Sequence, residues 1–312
     1  MREGRASRTA EQNALFRALE SSRPPHQRVC DDPLARHFLS WPFTLVMGIA
    51  AIPGVATFVC SYIDRRWPGV RSSVVARTRL IDDLITAALD DDIEQVVILG
   101  AGFDSRAYRL SRLAAIDIFE VDHPDTQVAK QDALKRVLPS APRHVRFVAV
   151  DFKHNDLVSA MSDAGYRDSK RTFVLWEGVT NYLTAEAVDS TLEWCSTAST
   201  GSRLLFTYVH RDILTRPSAF VGTRNLFTSL EKAGERFTFG MDPSYVPEYL
   251  AGHGFSLELD IGAAEYRARY FGAHARTMRG HEFYRVALAR VGRPRSLKPR
   301  APSQTVARKE VP

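Results

Sequence analysis

Between residues 95 and 209, short uninterrupted apolar runs alternate with longer stretches in which apolar positions recur every three or four residues. The runs fall at 95–99, 116–121, 145–150, 173–175 and 203–209, and each is rich in Val, Ile, Leu or Phe. Continuous apolar strands of this kind are buried on both faces, as in a parallel sheet, and the helical patterns at 126–138 and 185–198 supply crossovers. A doubly wound α/β fold with a mostly parallel sheet follows. Upstream, 10–20, a stretch after the Asp31-Asp32-Pro33 turn, and 74–89 read as helices, the last with Ala76, Leu80, Leu84 and Ala88 on one stripe. Downstream, a helix near 247–253 and strands at 256–261 and 282–289 predict an antiparallel pair with an irregular connection at the sheet edge.

These patterns divide the chain into an N-terminal helical cap (1–92), a sheet-forming domain (93–291) and a tail (292–312). The tail carries six basic residues against Glu310 and so holds most of the net charge of +6. With four prolines and few apolar residues it is expected to be disordered. The remaining body is nearly neutral, which argues against a nucleic-acid partner. The apolar run 43–60 approaches the length of a membrane span. Gly48, Pro53 and Gly54 interrupt it, so two short buried or substrate-covering helices are expected instead, with a membrane-surface contact as the alternative. No apolar leader follows the polar first residues, and three scattered cysteines offer neither a disulfide framework nor a CxxC site, so a cytoplasmic protein is expected. The histidines show no metal-ligand spacing, and no metal is expected.

Chemistry concentrates at the ends of the expected strands. The first ends in Gly100-Ala101-Gly102, followed by an Arg-rich helix, and the next ends in Asp122 about twenty positions later. Glycines admit close backbone approach, and a carboxylate there accepts from both hydroxyls of a ribose. A dinucleotide dehydrogenase shares both elements, but Ser105 replaces its third glycine. The third strand ends in Asp151-Phe152, suited to an adenine amine and ring face, and the fourth in Trp176-Glu177-Gly178. Strand ends in an open α/β sheet form the ligand crevice, so the set points to one nucleoside ligand. Taken singly, each acid is equally well a helix cap.

The stretches LGAGFDSRAYRL, FEVDHPDTQVAKQDAL, VDF and WEGVTNYL, in that order, resemble the leucine carboxyl methyltransferase family, in particular its actinobacterial branch of small-molecule methyltransferases. Phe16 to Glu20, Asp32-Pro33-Leu34-Ala35 and Val75 to Arg79 followed by Asp82 resemble the same branch, so the likeness spans roughly 10–289. The resemblance implies a seven-stranded class I methyltransferase sheet, S-adenosylmethionine as cofactor, and O-methylation of a carboxylate or hydroxyl on a small molecule or peptide. It implies further that Arg77 pairs with the cofactor carboxylate, that Gly100, Ala101 and Gly102 form the turn beneath it, and that Asp122 takes the ribose. Asp151 and Phe152 would take the adenine, Glu177 the amino-acid end, and Arg17 the same carboxylate as Arg77. The tail and the 43–60 run lie outside the shared pattern.

Methyl transfer from a sulfonium neutralises charge, so alignment and a dry pocket matter more than acid-base apparatus. A hydroxyl acceptor would need a base. Tyr182, Tyr208 and His210, which follow the fourth and fifth strands, are the candidates for facing the acceptor. The competing readings are an NAD(P)-dependent oxidoreductase, which leaves Asp151 and Glu177 unexplained, a nucleoside-binding protein without turnover, and an RNA-modifying enzyme.

Overall fold

The structure, a computed structural model, describes residues 8–52, 54–140, 142–150 and 157–292. Among these residues seven strands form one sheet: β1 (Gln95–Leu99), β2 (Asp117–Asp122), β3 (Val145–Ala149), β4 (Thr172–Trp176), β5 (Arg203–Val209), β6 (Phe255–Gly262) and β7 (Tyr284–Val291). Their order is β3-β2-β1-β4-β5-β7-β6. The first five are parallel, while β7 runs antiparallel between β5 and β6. The sheet is therefore mostly parallel and doubly wound, with the expected antiparallel edge.

Among the described residues twelve α-helices flank it: α1 (Arg8–Ser21), α2 (Trp41–Ala50), α3 (Val55–Arg66), α4 (Val70–Ala88), α5 (Arg106–Arg109), α6 (Pro124–Lys135), α7 (Leu157–Asp163), α8 (Ala185–Ser196), α9 (Asp212–Thr215), α10 (Thr223–Ala233), α11 (Val246–Gly252) and α12 (Ala263–Phe271). Burial of every residue in β1, β4 and β5 explains their uninterrupted apolar sequences. One sheet face packs Leu80, Ile81 and Ile85 of α4 and Tyr266 of α12 against Val96, Ile98, Phe173 and Leu175. The other packs Val188, Leu192 and Trp194 of α8 and Leu250 of α11 against Val97, Val174, Phe206 and Tyr208.

Two expectations are corrected. The connection between the last two strands is not irregular, because Ala263–Phe271 forms α12, whose Tyr266 is fully buried against α4 and the sheet. The run 43–60 does form two helices, but they are not buried. Phe43, Val46, Met47 and Val59 face Leu15, Phe16 and Leu19 of α1, whereas Trp41 and Phe58 are each 77% exposed. Among the described residues one face packs on α1 and the other is exposed. Among the described residues no helix is long and apolar enough to cross a membrane.

Helix α4 lies within the expected cap (1–92) yet packs on both sides: Val74 packs with α1, and Ile85 packs under β1 and β4. Ile85→Ala should cost about 2–5 kcal/mol of unfolding free energy in urea denaturation, the range for emptying a closed core site. A loss under about 1 kcal/mol would mean that α4 does not close the core.

Candidate functional site

The site begins where β1 ends. Gly100 and Gly102 take positive φ, +65° and +42°, a region costly for other residues. A side chain at Gly100 would also come within 2.4 Å of Val179 Cγ2 in the loop after β4, so glycine is required there twice over. Between them the Ala101 N–H donates to the Val121 carbonyl at 3.0 Å, tying the turn to β2. Asp122, at the end of β2, accepts from the Gly102 N–H at 2.5 Å and the His123 N–H at 2.6 Å. Burial pushes its carboxyl above the ordinary carboxylate range, and the two backbone donors oppose that shift. Each oxygen keeps lone-pair capacity for a further donor, as a ribose diol would need.

Past β4 stands Glu177. Arg77 of α4 donates to it from Nε at 2.7 Å, and Arg106 of α5 from Nη1 at 2.9 Å. Burial alone would raise this carboxyl, but the flanking charges of Arg106 and Arg77 win and bring it down to about 2. Arg106 also bonds Asp104, and donates from Nε to Asp82 at 2.8 Å. Arg109 grips Asp82 with both terminal nitrogens, each at 2.8 Å. Arg17 of α1 donates to Asp32 at 2.7 Å and to the Phe103 carbonyl at 2.6 Å, directly after the glycine turn. Helix α1 thus reaches the site, and its Ala10 Cβ would be 3.6 Å from a Cβ at Gly102.

The three residues expected near an acceptor separate. Tyr182 packs edge-on to Phe237 at 5.6 Å, within a cluster that includes Phe283 and Tyr284. Its neighbours Thr9 and Glu235 join each other at 2.5 Å, closing α1 over that side. His210 lies beside the same cluster, with its ring 5.8 Å from Phe220 and its Nδ1 accepting from the Asp212 N–H at 3.1 Å. Tyr208 does not join them. It lies on the α8 face of the sheet, and its hydroxyl donates to Asp260 at 2.7 Å and accepts from Arg285 at 3.0 Å. Strand alternation is the cause, since Thr207 and Val209 point to the other face. Asp151 and Phe152 lie outside the described residues.

Two residues had no assigned role in the sequence reading. Arg106 was visible only as part of an Arg-rich helix, although two arginines directly after a glycine turn that faces several acids were a usable signal. Tyr284 of β7 gave no signal. Its ring carries the Arg77 guanidinium at 4.6 Å, its hydroxyl lies 3.1 Å from Thr207 Oγ1, and Thr207 accepts from the Gly178 N–H at 2.8 Å.

The family model of leucine carboxyl methyltransferases matches residues 10–196, more than half of the chain. The chain belongs to that family. As a member it is a methyltransferase, of the S-adenosylmethionine-dependent class. It is 32% identical over 287 residues to an inferred S-adenosyl-L-methionine-dependent methyltransferase of Mycolicibacterium smegmatis, covering 86% of each chain. An inferred enzyme of the same name from Streptomyces coelicolor is 31% identical over 274 residues, 86% of this chain and 89% of that one. In fold, the methyltransferase is similar to a crystal structure of an inferred methyltransferase from Thermobifida fusca, with a TM-score of 0.56 at 13% identity, covering 93% of this chain and 97% of that one.

The depressed pKa of Glu177 predicts a pH dependence. The folded methyltransferase releases this proton more readily than the unfolded chain does, so the stabilisation is complete above about pH 4.5 and is lost as pH falls towards about 2. Glu177→Gln should therefore be less stable than the parent at neutral pH by about 3 kcal/mol, with the gap narrowing across that window. Urea midpoints of both proteins from pH 6 down to 2 check this; a constant gap would remove the ion pairs as its cause.

Proposed function

We propose that this methyltransferase transfers a methyl group from S-adenosylmethionine to an oxygen of a small molecule or peptide, and that the acceptor is a carboxylate. The observation that carries the donor side is the juxtaposition of a glycine turn, a carboxylate bonded to that turn, and the Arg77–Glu177 pair on neighbouring parallel strand ends. The donor set fits an amino acid joined to a nucleoside. Asp122 would accept from the ribose hydroxyls, and Gly100, Ala101 and Gly102 give backbone access beneath the ligand. Arg77, with Arg17 nearby, would pair with its carboxylate, and Glu177 with its ammonium. Asp151 and Phe152 are assigned to the adenine on their position in the family motif alone.

The cofactor supplies a methyl group on a cationic sulfur. This chain's residues hold, align and dehydrate. Arg106 fixes the Glu177 carboxylate, and Tyr284 supports the Arg77 guanidinium from its ring face. Helix α1 covers the turn and excludes water, which favours a reaction that disperses charge. The preference for a carboxylate acceptor rests on the phenols. Burial pushes Tyr182, and likewise Tyr284, up from the ordinary phenol value, so both stay protonated and serve as hydrogen-bond donors rather than bases. A carboxylate is already ionised at neutral pH and needs no base. Should a hydroxyl be the acceptor, His210 would be the candidate base for its proton. The three free cysteines support a reducing compartment and thus a cytoplasmic enzyme.

S-adenosylhomocysteine at 100 times its Kd should stabilise the fold by about 2.7 kcal/mol, read as a rise in Tm, whereas NAD(H) and NADP(H) should give no shift. Asp122→Ala should abolish the rise while leaving the ligand-free Tm within a few degrees; full retention of affinity would defeat the ribose assignment. Labelled-methyl transfer into a cell extract should yield a product whose label is released as methanol by mild base, as a methyl ester requires. A base-stable label would move the acceptor to a hydroxyl.

A further inference from the structure

Residues 39–63 contain no Asp, Glu, Lys, Arg or His, yet the two helices they build are only half covered. On α2 the inner positions Phe43, Val46 and Met47 pack on α1, and on α3 Val59 and Ile63 do the same. Because both inner faces meet the same cluster, both outer stripes face solvent on one side. Those stripes are Trp41, Leu45 and Ile49, four residues apart on α2, then Ile52 in the connection, then Phe58 and Tyr62 on α3. Their exposures are 77%, 58%, 43%, 54%, 77% and 67%. Six large apolar side chains in one contiguous stretch exceed what scattered surface hydrophobics account for.

The charges around the stripe select the partner. Arg36 precedes it, and Arg65 and Arg66 follow it. Two acids stand at its edge: Asp64 is neutralised by a two-pronged bond from Arg71 at 3.0 and 2.7 Å, and Glu11 of α1 accepts from the Ser40 N–H just ahead of Trp41. Among the described residues no carboxylate pairs with Arg36, Arg65 or Arg66. An apolar strip with Trp at one end and Tyr at the other, flanked by unneutralised arginines, matches an anionic lipid surface: rings and aliphatics enter the headgroup boundary while guanidinium groups meet phosphate. A second copy of this chain would bring the same arginines together across the contact. Helix α2, with ten residues, is roughly 15 Å long, enough to lie on a membrane and too short to cross one.

We propose that the α2–α3 hairpin docks the enzyme on anionic membrane surfaces through Trp41, Leu45, Ile49, Phe58 and Tyr62, with Arg36, Arg65 and Arg66 supplying the charge selectivity. The docking stands independently of the acceptor assigned above.

The test is cosedimentation of the full chain with vesicles of phosphatidylcholine alone and of phosphatidylcholine mixed with phosphatidylglycerol. Binding should be roughly tenfold or more tighter on the anionic vesicles and should weaken with salt. The double variant Leu45→Glu, Phe58→Glu should lose binding while keeping its S-adenosylhomocysteine thermal shift. Arg36→Glu with Arg65→Glu, at exposed positions that leave the core untouched, should remove the anionic preference. Brominated phosphatidylglycerol should quench tryptophan fluorescence, and Trp41→Phe should keep binding but lose most of the quenching. Absence of vesicle binding by the parent, or equal binding by the Glu double variant, would overturn the proposal. So would a solution dimer that the Glu double variant dissociates.

Discussion

A single chain of buried ion pairs runs from the first helix to the middle of the sheet, and the site exists because that chain is complete. Arg17 meets Asp32, Asp32 lies 4.0 Å from Arg109, Arg109 and Arg106 share Asp82, and Arg106 and Arg77 share Glu177. With Asp104 on Arg106, four arginines face four carboxylates. Withdrawing any one charge from water costs several kcal/mol, and removing one partner leaves another stranded, so the members hold their places collectively. The contribution is positional more than stabilising. It links α1, the segment after it and α4 to the turn after β1 and the end of β4.

That arrangement explains how an otherwise ordinary α/β sheet acquires a closed site. The glycine turn alone would stand open at the strand ends. Arg17 reaches the Phe103 carbonyl and sets α1 over the turn, while the Thr9–Glu235 contact ties the other end of α1 to the segment after α10. Val179 occupies the space that a side chain at Gly100 would need, so the loops after β1 and β4 interlock. Cover by α1 and fixed charge therefore come from the same residues. Under the proposed assignment, a ligand with one carboxylate and one ammonium would find charged groups already held in place, which lowers the reorganisation cost of binding.

The sheet was largely legible in the sequence because burial on both faces leaves an unbroken apolar run, and β1 and β5 coincide with the runs at 95–99 and 203–209. Helix α12 was not, because Arg267 and Arg269 break its apolar pattern, and only the structure shows Arg267 donating to the Gly280 carbonyl at 2.9 Å and bonding Glu282. At the site, the residues that terminate strands could be named, since a strand end is a position in sequence as well as in space. Arg106 and Tyr284 could not be given roles: one depends on which acids surround it, and the other comes from a strand that is late in sequence yet lies beside β5. Tyr208 was misplaced for a related reason, because a shift of one residue along a strand exchanges one face for the other.

The extent of the family match divides the site along the same line. Residues 10–196 contain Arg17, Arg77, the glycine turn, Arg106, Asp122 and Glu177, all of them groups assigned to the donor. The aromatic cluster beyond Tyr182 is built from Phe220, Phe227, Phe237, Phe283 and Tyr284, which lie past the matched segment. Tyr284 joins the halves, supporting Arg77 on its ring face while its hydroxyl meets Thr207. Family membership therefore speaks for the donor and for the type of reaction, whereas under the proposed function the acceptor would meet the C-terminal aromatic wall. Substitutions at Phe220 or Phe237 should change which acceptor is used while leaving donor affinity intact, because neither residue touches the ion-pair chain that holds the donor site together.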